Sequence, residues 1–329
     1  MPTIHEGADL PTSQSGLDWQ PHPIWRNLGP LLAVGLLSLW ASLAEAGETG
    51  VGRHYTVAAN GQGPLHLYVE EKGQGDPVVL LHGMGASTYE WRLIVPGLAR
   101  RHRVLNIDLK GFGRSDKPAD GRYSAIDQGA LVKDFLVRNG IRNATLIGHS
   151  LGGGIALATT LSANQTDPGI VSRLVLIDSA AYPQELSESL TTLRDPVLGP
   201  VLLTILPPDV LAAIALTGGG SYSKVTRDDI RAYARPYYDP AAKEALLETA
   251  RQIVPPNFRR YTAAYPTIRQ PALLIWCRAD DVVPLSVGIR LSKDLPNARL
   301  EVLDGCLHVP IEEQPGVTGR LIRRFLDSH

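Results

Sequence analysis

The chain has 329 residues, of which 44% are hydrophobic and 20% are charged, and its formal net charge is −1. This composition is ordinary for a globular protein, and the length allows one large α/β domain with an insertion or two small domains. Because no basic stripe is present to neutralise phosphates, the charge pattern excludes a nucleic-acid-binding function.

The first fifty residues differ in composition from the rest of the chain. Residues 1–27 are polar, contain four prolines and show no hydrophobic period, which predicts a disordered tail. Residues 28–47 are apolar and uncharged up to Glu45, a run somewhat short of the roughly 20 residues of a membrane span. The alanines on either side of Glu45 fit a signal-peptide cleavage site. We therefore expect a cleaved export signal or a membrane anchor, and an exported or membrane-associated protein. A buried or surface helix is the third interpretation, and a start codon misassigned upstream would make the protein cytoplasmic.

Strand-like and helix-like segments alternate from residue 53 onward. The first two strands form an antiparallel pair around a turn at 60–64. Strands that alternate with helices predict a mainly parallel sheet covered by helices on both faces, built from residues 53–178 and 271–329. The further strands are predicted at 77–83, 103–109, 144–147, 171–178, 271–277 and 298–304. The helices are predicted at 87–101, with an interruption at Pro96, at 124–139, from 151 onward, and at 285–295 and 314–327.

The interval 179–270 interrupts this alternation, because it contains several prolines and helical stretches but no convincing parallel strand. We expect a helical cap inserted over the carboxyl edge of the sheet, since a structureless loop of this length is uncommon. Two ordinary crossover helices with a loop are the alternative. The apolar residues of 196–216, with Tyr233, Tyr237 and Tyr238, predict a hydrophobic acyl pocket beneath the cap, unless they only pack the cap onto the core.

A single serine stands between a predicted strand and a predicted helix, in the stretch ATLIGHSLGGGIAL. Gly148 and Gly152 flank Ser150 in a G-x-S-x-G pattern, and the absence of a Cβ at both positions permits a very tight turn. Such a turn leaves the serine hydroxyl exposed at the carboxyl edge of the sheet, at the N-terminus of the following helix. The pattern therefore makes Ser150 a candidate nucleophile.

A serine nucleophile needs a base, and the base needs an acid that orients it. Of the nine histidines, His308 directly follows the last predicted strand and so reaches the same edge of the sheet as Ser150. Three aspartates also follow strands: Asp280 and Asp281 after one, and Asp178 after another. The position of the residues alone leaves the choice among these three open.

Several segments together resemble the α/β-hydrolase superfamily: HGMG, DLKGFGRSDKP, GHSLGGG, WCRADDVVP and GCLHVPIEEQP. They span the chain from about residue 53 to its end, apart from the interval 179–270. The resemblance implies a mostly parallel eight-stranded sheet with helices on both faces, an inserted helical cap, and the chain order serine, aspartate, histidine. It also selects Asp280, because the superfamily's acid precedes a proline by four residues, as Asp280 precedes Pro284. The chain departs from the superfamily at Cys277 and Leu307, which stand where glycines are usual.

The oxyanion formed during acyl transfer needs two backbone N–H donors. The amide of Leu151, directly after the nucleophile, is one candidate. The resemblance implies that Met84, in the turn after the strand 77–83, supplies the other. Gly83 and Gly85 on either side of Met84 would let this backbone approach the substrate.

These residues predict a serine hydrolase that cleaves a carboxylic ester of an apolar acid through an acyl-enzyme on Ser150. C–C bond hydrolysis of a diketone-type substrate and acyl transfer to an alcohol would use the same triad and are alternatives. A non-catalytic binding protein is a further alternative, against which the intact triad argues. The expected partner is a small apolar ester-type substrate, with membrane association possible through residues 28–47, and the oligomeric state is left open.

The two cysteines, Cys277 and Cys306, form no C-x-x-C pair, so the sequence indicates no metal, redox motif or cofactor. Each lies at the end of a predicted strand, and in this fold the two strands are neighbours. An export-like N-terminus would favour a disulfide between the acid loop and the histidine loop. A pair of buried free thiols is the other interpretation and is slightly preferred.

Overall fold

The computed structural model describes residues 52–58, 61, 63–218, 225–255 and 258–328. The predicted tail at 1–27 and the predicted signal or anchor at 28–47 lie outside these residues. The described strands are β1 Arg53–Val57, β2 Leu65–Lys72, β3 Asp76–Leu81, β4 His102–Ile107, β5 Ala144–His149, β6 Val171–Ile177, β7 Ala272–Cys277 and β8 Ala298–Leu303.

The described helices alternate with the strands. Those of the sheet-forming part are α1 Val95–Leu98, α2 Ala125–Arg138, α3 Leu151–Thr166, α10 Leu285–Asp294, α11 Pro310–Glu313 and α12 Pro315–Asp327. Those between β6 and β7 are α4 Glu188–Arg194, α5 Leu198–Ile205, α6 Pro208–Gly218, α7 Arg227–Ala234, α8 Pro240–Arg251 and α9 Phe258–Ala263. Short 3-10 turns occur at Thr88–Trp91, Arg235–Tyr238 and Tyr265–Thr267.

The strands form one eight-stranded sheet in the order β1-β2-β4-β3-β5-β6-β7-β8. The strands from β3 to β8 pair in parallel, whereas β1 pairs antiparallel with β2 and β2 antiparallel with β4. This is the α/β-hydrolase fold that the sequence predicts. Its parallel strands bring their carboxyl ends to one edge, where β3, β5, β7 and β8 lead into the loops of the predicted site.

Alternate residues of the central strands enter two clusters, one on each face of the sheet. Val79 and Leu81 of β3 pack with residues of α2 and α3, while Val78 and Leu80 pack with residues of α1 and α12. Because both faces of the central strands are covered by helices, these strands are continuously apolar. The burial explains why they could be predicted from sequence as short apolar runs.

The segment 87–101 is helical and is interrupted near Pro96, as predicted. It contains a 3-10 turn at Thr88–Trp91 and then the four-residue α1, which has Pro96 in its first turn. Proline lacks an N–H donor and is tolerated only at the start of a helix, so the segment is divided where Pro96 begins a new turn.

Between β6 and β7, the part of the chain that the structure describes contains helices and no strand. Helix α8 lies against the loops that follow β3 and β4. In the loop after β3, a Cβ built on Gly85 would lie 3.9 Å from the side chain of Leu246 in α8. In the loop after β4, a Cβ built on Gly111 would lie 2.9 Å from the side chain of Ala245. These two loops leave the carboxyl edge of the sheet, so α8 covers that edge.

Much of the apolar run in α5 and α6 faces outward. Leu203, Ala212 and Leu216 are buried, but the following residues are exposed: Val197, Leu198, Val201, Ile205, Val210 and Ile214. No single described helix has the length and apolar composition to cross a membrane, and α5 and α6 meet that test only jointly, as a pair bent by 114°.

Candidate active site

Ser150 occupies a strained turn between β5 and α3. Its φ of 52° and ψ of −118° lie in a region that non-glycine residues rarely adopt. The turn is tight enough that a Cβ on Gly148 would come within 2.3 Å of the carbonyl oxygen of Gly152. A Cβ on Gly152 would come within 2.1 Å of the carbonyl oxygen of Leu81. The glycines on both sides of Ser150 are therefore required by close approach of the backbone.

Ser150, His308 and Asp280 form a continuous chain of hydrogen bonds. The Oγ of Ser150 lies 3.0 Å from Nε2 of His308, and Nδ1 of His308 lies 2.8 Å from Oδ2 of Asp280. The Asp280 side chain is fully buried, and that of His308 is 12% exposed. The geometry suits a histidine that accepts a proton from serine while the aspartate holds its other nitrogen protonated.

The Asp280 carboxylate is fixed by its own loop. Its second oxygen, Oδ1, accepts hydrogen bonds from the amides of Val282 and Val283 at 2.8 and 2.9 Å. Asp281, the neighbouring candidate, is exposed and makes no hydrogen bond to His308 among the described residues. Among the three candidate acids, the structure brings Asp280 to the histidine.

Asp178, the third candidate acid, is buried beside this site with a positive φ of 42°. Its Oδ1 accepts a hydrogen bond from the amide of Cys277 at 2.9 Å. Burial, and then the negative charge of Asp280, raise the pKa of Asp178 well above its usual value. The buried site beside Asp280 therefore favours the protonated form of Asp178.

Cys277 and Cys306 form a disulfide, with their Cα atoms 5.4 Å apart. The slightly preferred interpretation of two free thiols is therefore wrong. Adjacent parallel strands β7 and β8 bring the two residues close enough for the bond. The disulfide joins the loop that carries Asp280 to the loop that carries His308.

The predicted oxyanion donors are the amides of Met84, in the loop after β3, and of Leu151, the first residue of α3. Among the residues that the structure describes, the amides of Met84 and Leu151 donate to no protein acceptor, so both are available to a ligand oxygen. Gly85 has a φ of 83°, which favours glycine, and a Cβ there would lie 3.7 Å from the Tyr237 hydroxyl oxygen. Tyr237 and Leu246 of the helical segment therefore face the loop that carries Met84.

The three tyrosines predicted to line an acyl pocket have different surroundings. Tyr237 is beside the Met84 loop, as described above. Tyr233 donates a hydrogen bond to Glu312 at 3.0 Å. Tyr238 is 63% exposed and its hydroxyl bonds to Asp209, so the prediction that Tyr238 lines a buried pocket is wrong.

A polar network connects α7 to the core near His308. Arg92 forms ion pairs with Asp229 of α7, at 2.6 Å, and with Glu312 of α11. The hydroxyl of Tyr89 also donates to Asp229 at 3.0 Å, and Tyr233 of α7 bonds to Glu312. Burial raises the pKa of Tyr89 to about 12, so the phenol keeps its proton and acts as a donor. The network fixes α7 against both the loop after β3 and the helix after His308.

Two carboxylates and a histidine near the site were not predicted from the sequence as functional. Glu313 accepts hydrogen bonds from the backbone amides of Leu307, His308 and Val309 at 2.8–3.1 Å, which fixes the His308 loop. Glu90 and His149 form a buried pair behind Ser150. A carboxylate five residues after the histidine was the available signal for Glu313, whereas nothing local indicates that Glu90 meets His149.

Several known proteins are similar to this chain in sequence and structure. A model of a family described as the alpha/beta hydrolase family matches residues 78–320. The chain is similar to the 2-hydroxymuconate semialdehyde hydrolase of a Pseudomonas species, with 29% identity over 275 residues that cover 80% of this chain and 90% of that protein. It is also similar to the 2-hydroxy-6-oxononadienedioate/2-hydroxy-6-oxononatrienedioate hydrolase of Cupriavidus pinatubonensis, with 28% identity over 297 residues, 88% of this chain and 99% of that one.

A solved structure gives the same pattern of similarity. The meta-cleavage product hydrolase CumD from Pseudomonas fluorescens superposes with a TM-score of 0.68 and 27% sequence identity. The match covers 83% of this chain and 97% of CumD. The similarity extends over nearly the whole length of the compared proteins.

Proposed function

Because the chain belongs to the alpha/beta hydrolase family, we propose that it is a hydrolase in which Ser150 attacks a carbonyl carbon and forms an acyl-enzyme. The observation that carries the proposal is the hydrogen-bonded chain from Ser150 through His308 to Asp280. A strained serine, a mostly buried histidine and a buried acid in this order suit nucleophilic catalysis.

The first half of the proposed reaction transfers an acyl group to Ser150. Its Oγ bonds to the carbonyl carbon as its proton passes to Nε2 of His308, and the carbonyl electrons move onto the oxygen. The amides of Met84 and Leu151 stabilise this oxyanion. When the carbonyl re-forms, the bond to the leaving group breaks and the leaving group takes the proton from His308.

The second half of the reaction releases the acid. His308 removes a proton from water, and the water oxygen attacks the acyl carbon while the same two amides bind the new oxyanion. The bond to Ser150 then breaks, and Oγ recovers its proton from His308. The acyl group leaves as a carboxylic acid, and one water has been consumed.

We propose a carbon leaving group, so that the enzyme hydrolyses a C–C bond. The support comes from the relatives, whose names describe hydrolases of hydroxymuconate semialdehyde and of hydroxy-oxo-dienedioates. A carbon atom leaves with its electron pair only when a conjugated carbonyl delocalises that pair. The proposed substrate class is therefore a diketone or its vinylogue, in which a second carbonyl is conjugated to the breaking bond.

Ester hydrolysis is the second candidate. The contact of Tyr237 and Leu246 with the Gly85 loop favours it, because an aromatic and an aliphatic side chain beside the oxyanion loop suit a simple apolar acyl group. An alkoxide leaving group also needs no conjugation. Both reactions use the same Ser150 acyl-enzyme and differ in the group that departs.

The two candidates are separated by comparing kcat/KM on matched substrates. A conjugated 2-hydroxy-6-oxo-dienoate loses its absorbance on C–C cleavage, and nitrophenyl esters of increasing acyl length report ester cleavage. We expect kcat/KM of about 10⁴ M⁻¹s⁻¹ or more on a dienoate and a much lower value on every ester. The reverse ranking would replace C–C cleavage by ester cleavage, and Ser150→Ala serves as the control for background reaction in both assays.

A further inference from the structure

One buried pair of side chains touches three loops of the proposed site. His149, directly before Ser150, places Nδ1 3.0 Å from Oε1 of Glu90 and Nε2 2.7 Å from the carbonyl oxygen of His308. The other oxygen of Glu90 accepts a hydrogen bond from the amide of Gly83 at 3.0 Å. Both residues are at most 3% exposed. The pair therefore joins the nucleophile turn, the histidine loop and the loop that carries Met84.

The hydrogen-bond partners determine how many protons the pair holds. The carbonyl of His308 can only accept, so Nε2 of His149 must carry a proton. Nδ1 faces a carboxyl oxygen, and the other carboxyl oxygen already accepts from Gly83. One further proton must therefore lie between Nδ1 and Oε1, and the pair has no net charge wherever that proton sits.

The ionised form of the pair is the favoured one. Burial opposes the charge on His149, but the Glu90 carboxylate overcomes this effect and raises the pKa of His149. Burial likewise opposes the charge on Glu90, but His149 lowers the pKa of Glu90. His149 is thus an imidazolium with protons on both ring nitrogens, bonded to a carboxylate.

The groups around the pair leave this assignment unchanged. His82, at the end of β3, places Nδ1 2.7 Å from the carbonyl oxygen of Gly83 and accepts the amide proton of Leu109 at its Nε2, so it is a neutral imidazole. Asp280, His308 and Glu312 are the other titratable groups near the pair. Asp280 and Glu312 are already bonded to His308 and Arg92.

We propose that Glu90 and His149 are positioning residues for the reaction at Ser150, and that their shared proton holds the His308 backbone and the Gly83 amide in register with the nucleophile. The inference rests on the proposed function of Ser150. Neither residue touches the reacting atoms. They act through His308, whose Nε2 contacts Ser150, and through Gly83, which precedes the donor Met84.

The Glu90 position allows a matched pair of variants. In Glu90→Gln, the side-chain amide can donate to Nδ1 of a neutral His149 while the carbonyl still accepts from Gly83, so both links persist without charge. Glu90→Ala removes both links and leaves the Gly83 amide unpaired. Because a shift of about 1 Å in catalytic geometry costs about 10²-fold in rate, we expect kcat to fall about 10²-fold in Glu90→Ala. We expect Glu90→Gln to stay within about fivefold of the parent, and KM to change less than threefold in both variants.

Ile170→Ala is the control for loss of stability alone. Ile170 is 1% exposed and lies between α3 and β6, at the opposite edge of the sheet. This variant should lower the unfolding midpoint and keep the parent kcat. A Glu90→Ala enzyme with parent kcat, or a Glu90→Gln enzyme as slow as Glu90→Ala, would overturn the proposal. The proposal would also be overturned if Ile170→Ala lowered kcat as much as Glu90→Ala does, because lower stability alone would then explain the slower reaction.

Nitrogen NMR of the full chain labelled at histidine tests the proton assignment without turnover or the alanine variant. We expect an Nδ1–H signal from His149 in the parent, besides those of His82 and His308, that disappears in Glu90→Gln. A parent spectrum without this His149 signal would overturn the assignment. Turnover by folded Ser150→Ala would instead contradict the proposed function. The NMR signal would still show whether Glu90 and His149 share the proton.

Discussion

The disulfide between Cys277 and Cys306 should contribute strongly to stability, because its partners are 29 positions apart and enclose the loop of Asp280. In the chain-entropy treatment, the cross-link changes the entropy of the unfolded chain by roughly −2.1 − 1.5R ln 29, or about −12 cal/mol/K. This loss of entropy stabilises the folded protein by about 3.6 kcal/mol at 25 °C. Unfolding entropy of about 2.1 cal/mol/K per residue over the roughly 280 residues from Gly50 onward gives about 0.6 kcal/mol/K. The double variant Cys277→Ala/Cys306→Ala should therefore melt about 6 °C below the oxidised parent.

Calorimetry of the oxidised parent and the double variant measures this difference. Turnover at a temperature where both are folded should fall less than about tenfold, because the amides of Val282 and Val283 still hold Asp280. Mass spectrometry of the alkylated, unreduced parent is the control for the bond itself. Two alkylated cysteines in the parent would show that the bond does not form, and a melting point of the variant within about 1 °C of the parent would show that it does not stabilise the fold.

Further predictions concern the acids and the N-terminus. Asp280→Asn should lower kcat by roughly 10³- to 10⁴-fold, while Asp281→Asn should stay near the parent, and the reverse order in steady-state assays would reassign the acid. Asp178 has a raised pKa in the folded state, so the folded protein binds the extra proton and loses stability as pH rises above about 3.8, the value in the unfolded chain. Asp178→Asn should therefore be more stable than the parent at pH 7 and lose this advantage near pH 3.8. If denaturant unfolding gives the same difference in unfolding free energy between variant and parent at both pH values, this prediction is wrong. A reporter fused to residues 1–50 should reach a membrane or cross it, and a wholly cytosolic reporter would leave the helix or misassigned-start interpretations.

Much of the fold could be predicted because burial on both faces makes the central strands visible in the sequence. The apolar runs at 144–147 and 271–277 correspond to β5 and β7, with ends that shift by one or two residues. The serine turn could also be predicted, since Gly148 and Gly152 are needed where backbone atoms almost touch. Pro96 also marked where the helical segment 87–101 is interrupted, because proline is tolerated only at the start of a helix.

Contacts between distant parts of the chain could not be predicted. Glu90 and His149 are 59 positions apart, and neither shows its burial or its partner in local sequence. The disulfide likewise depends on a Cα separation of 5.4 Å that only the paired strands β7 and β8 determine. The outward orientation of Tyr238 depends on how the helices of the 179–270 interval pack, which an apolar composition does not specify.

The reaction itself is the least predictable feature. The proposed triad of Ser150, Asp280 and His308 would make the same attack on an ester or on a ketone, so these residues favour neither reaction. The sequence led to ester cleavage as the main expectation, and the named relatives favour the C–C bond alternative. The distinction lies in the groups that bind the departing part of the substrate.

The most direct test of the proposed mechanism is to trap the acyl-enzyme. The full chain is mixed with a conjugated 2-hydroxy-6-oxo-dienoate, quenched in acid within milliseconds and analysed by peptide mass spectrometry. We expect one adduct with the mass of the acyl part, located on Ser150 and missing in Ser150→Ala. An adduct on another residue, or product formation by Ser150→Ala at the parent rate, would contradict the proposed mechanism.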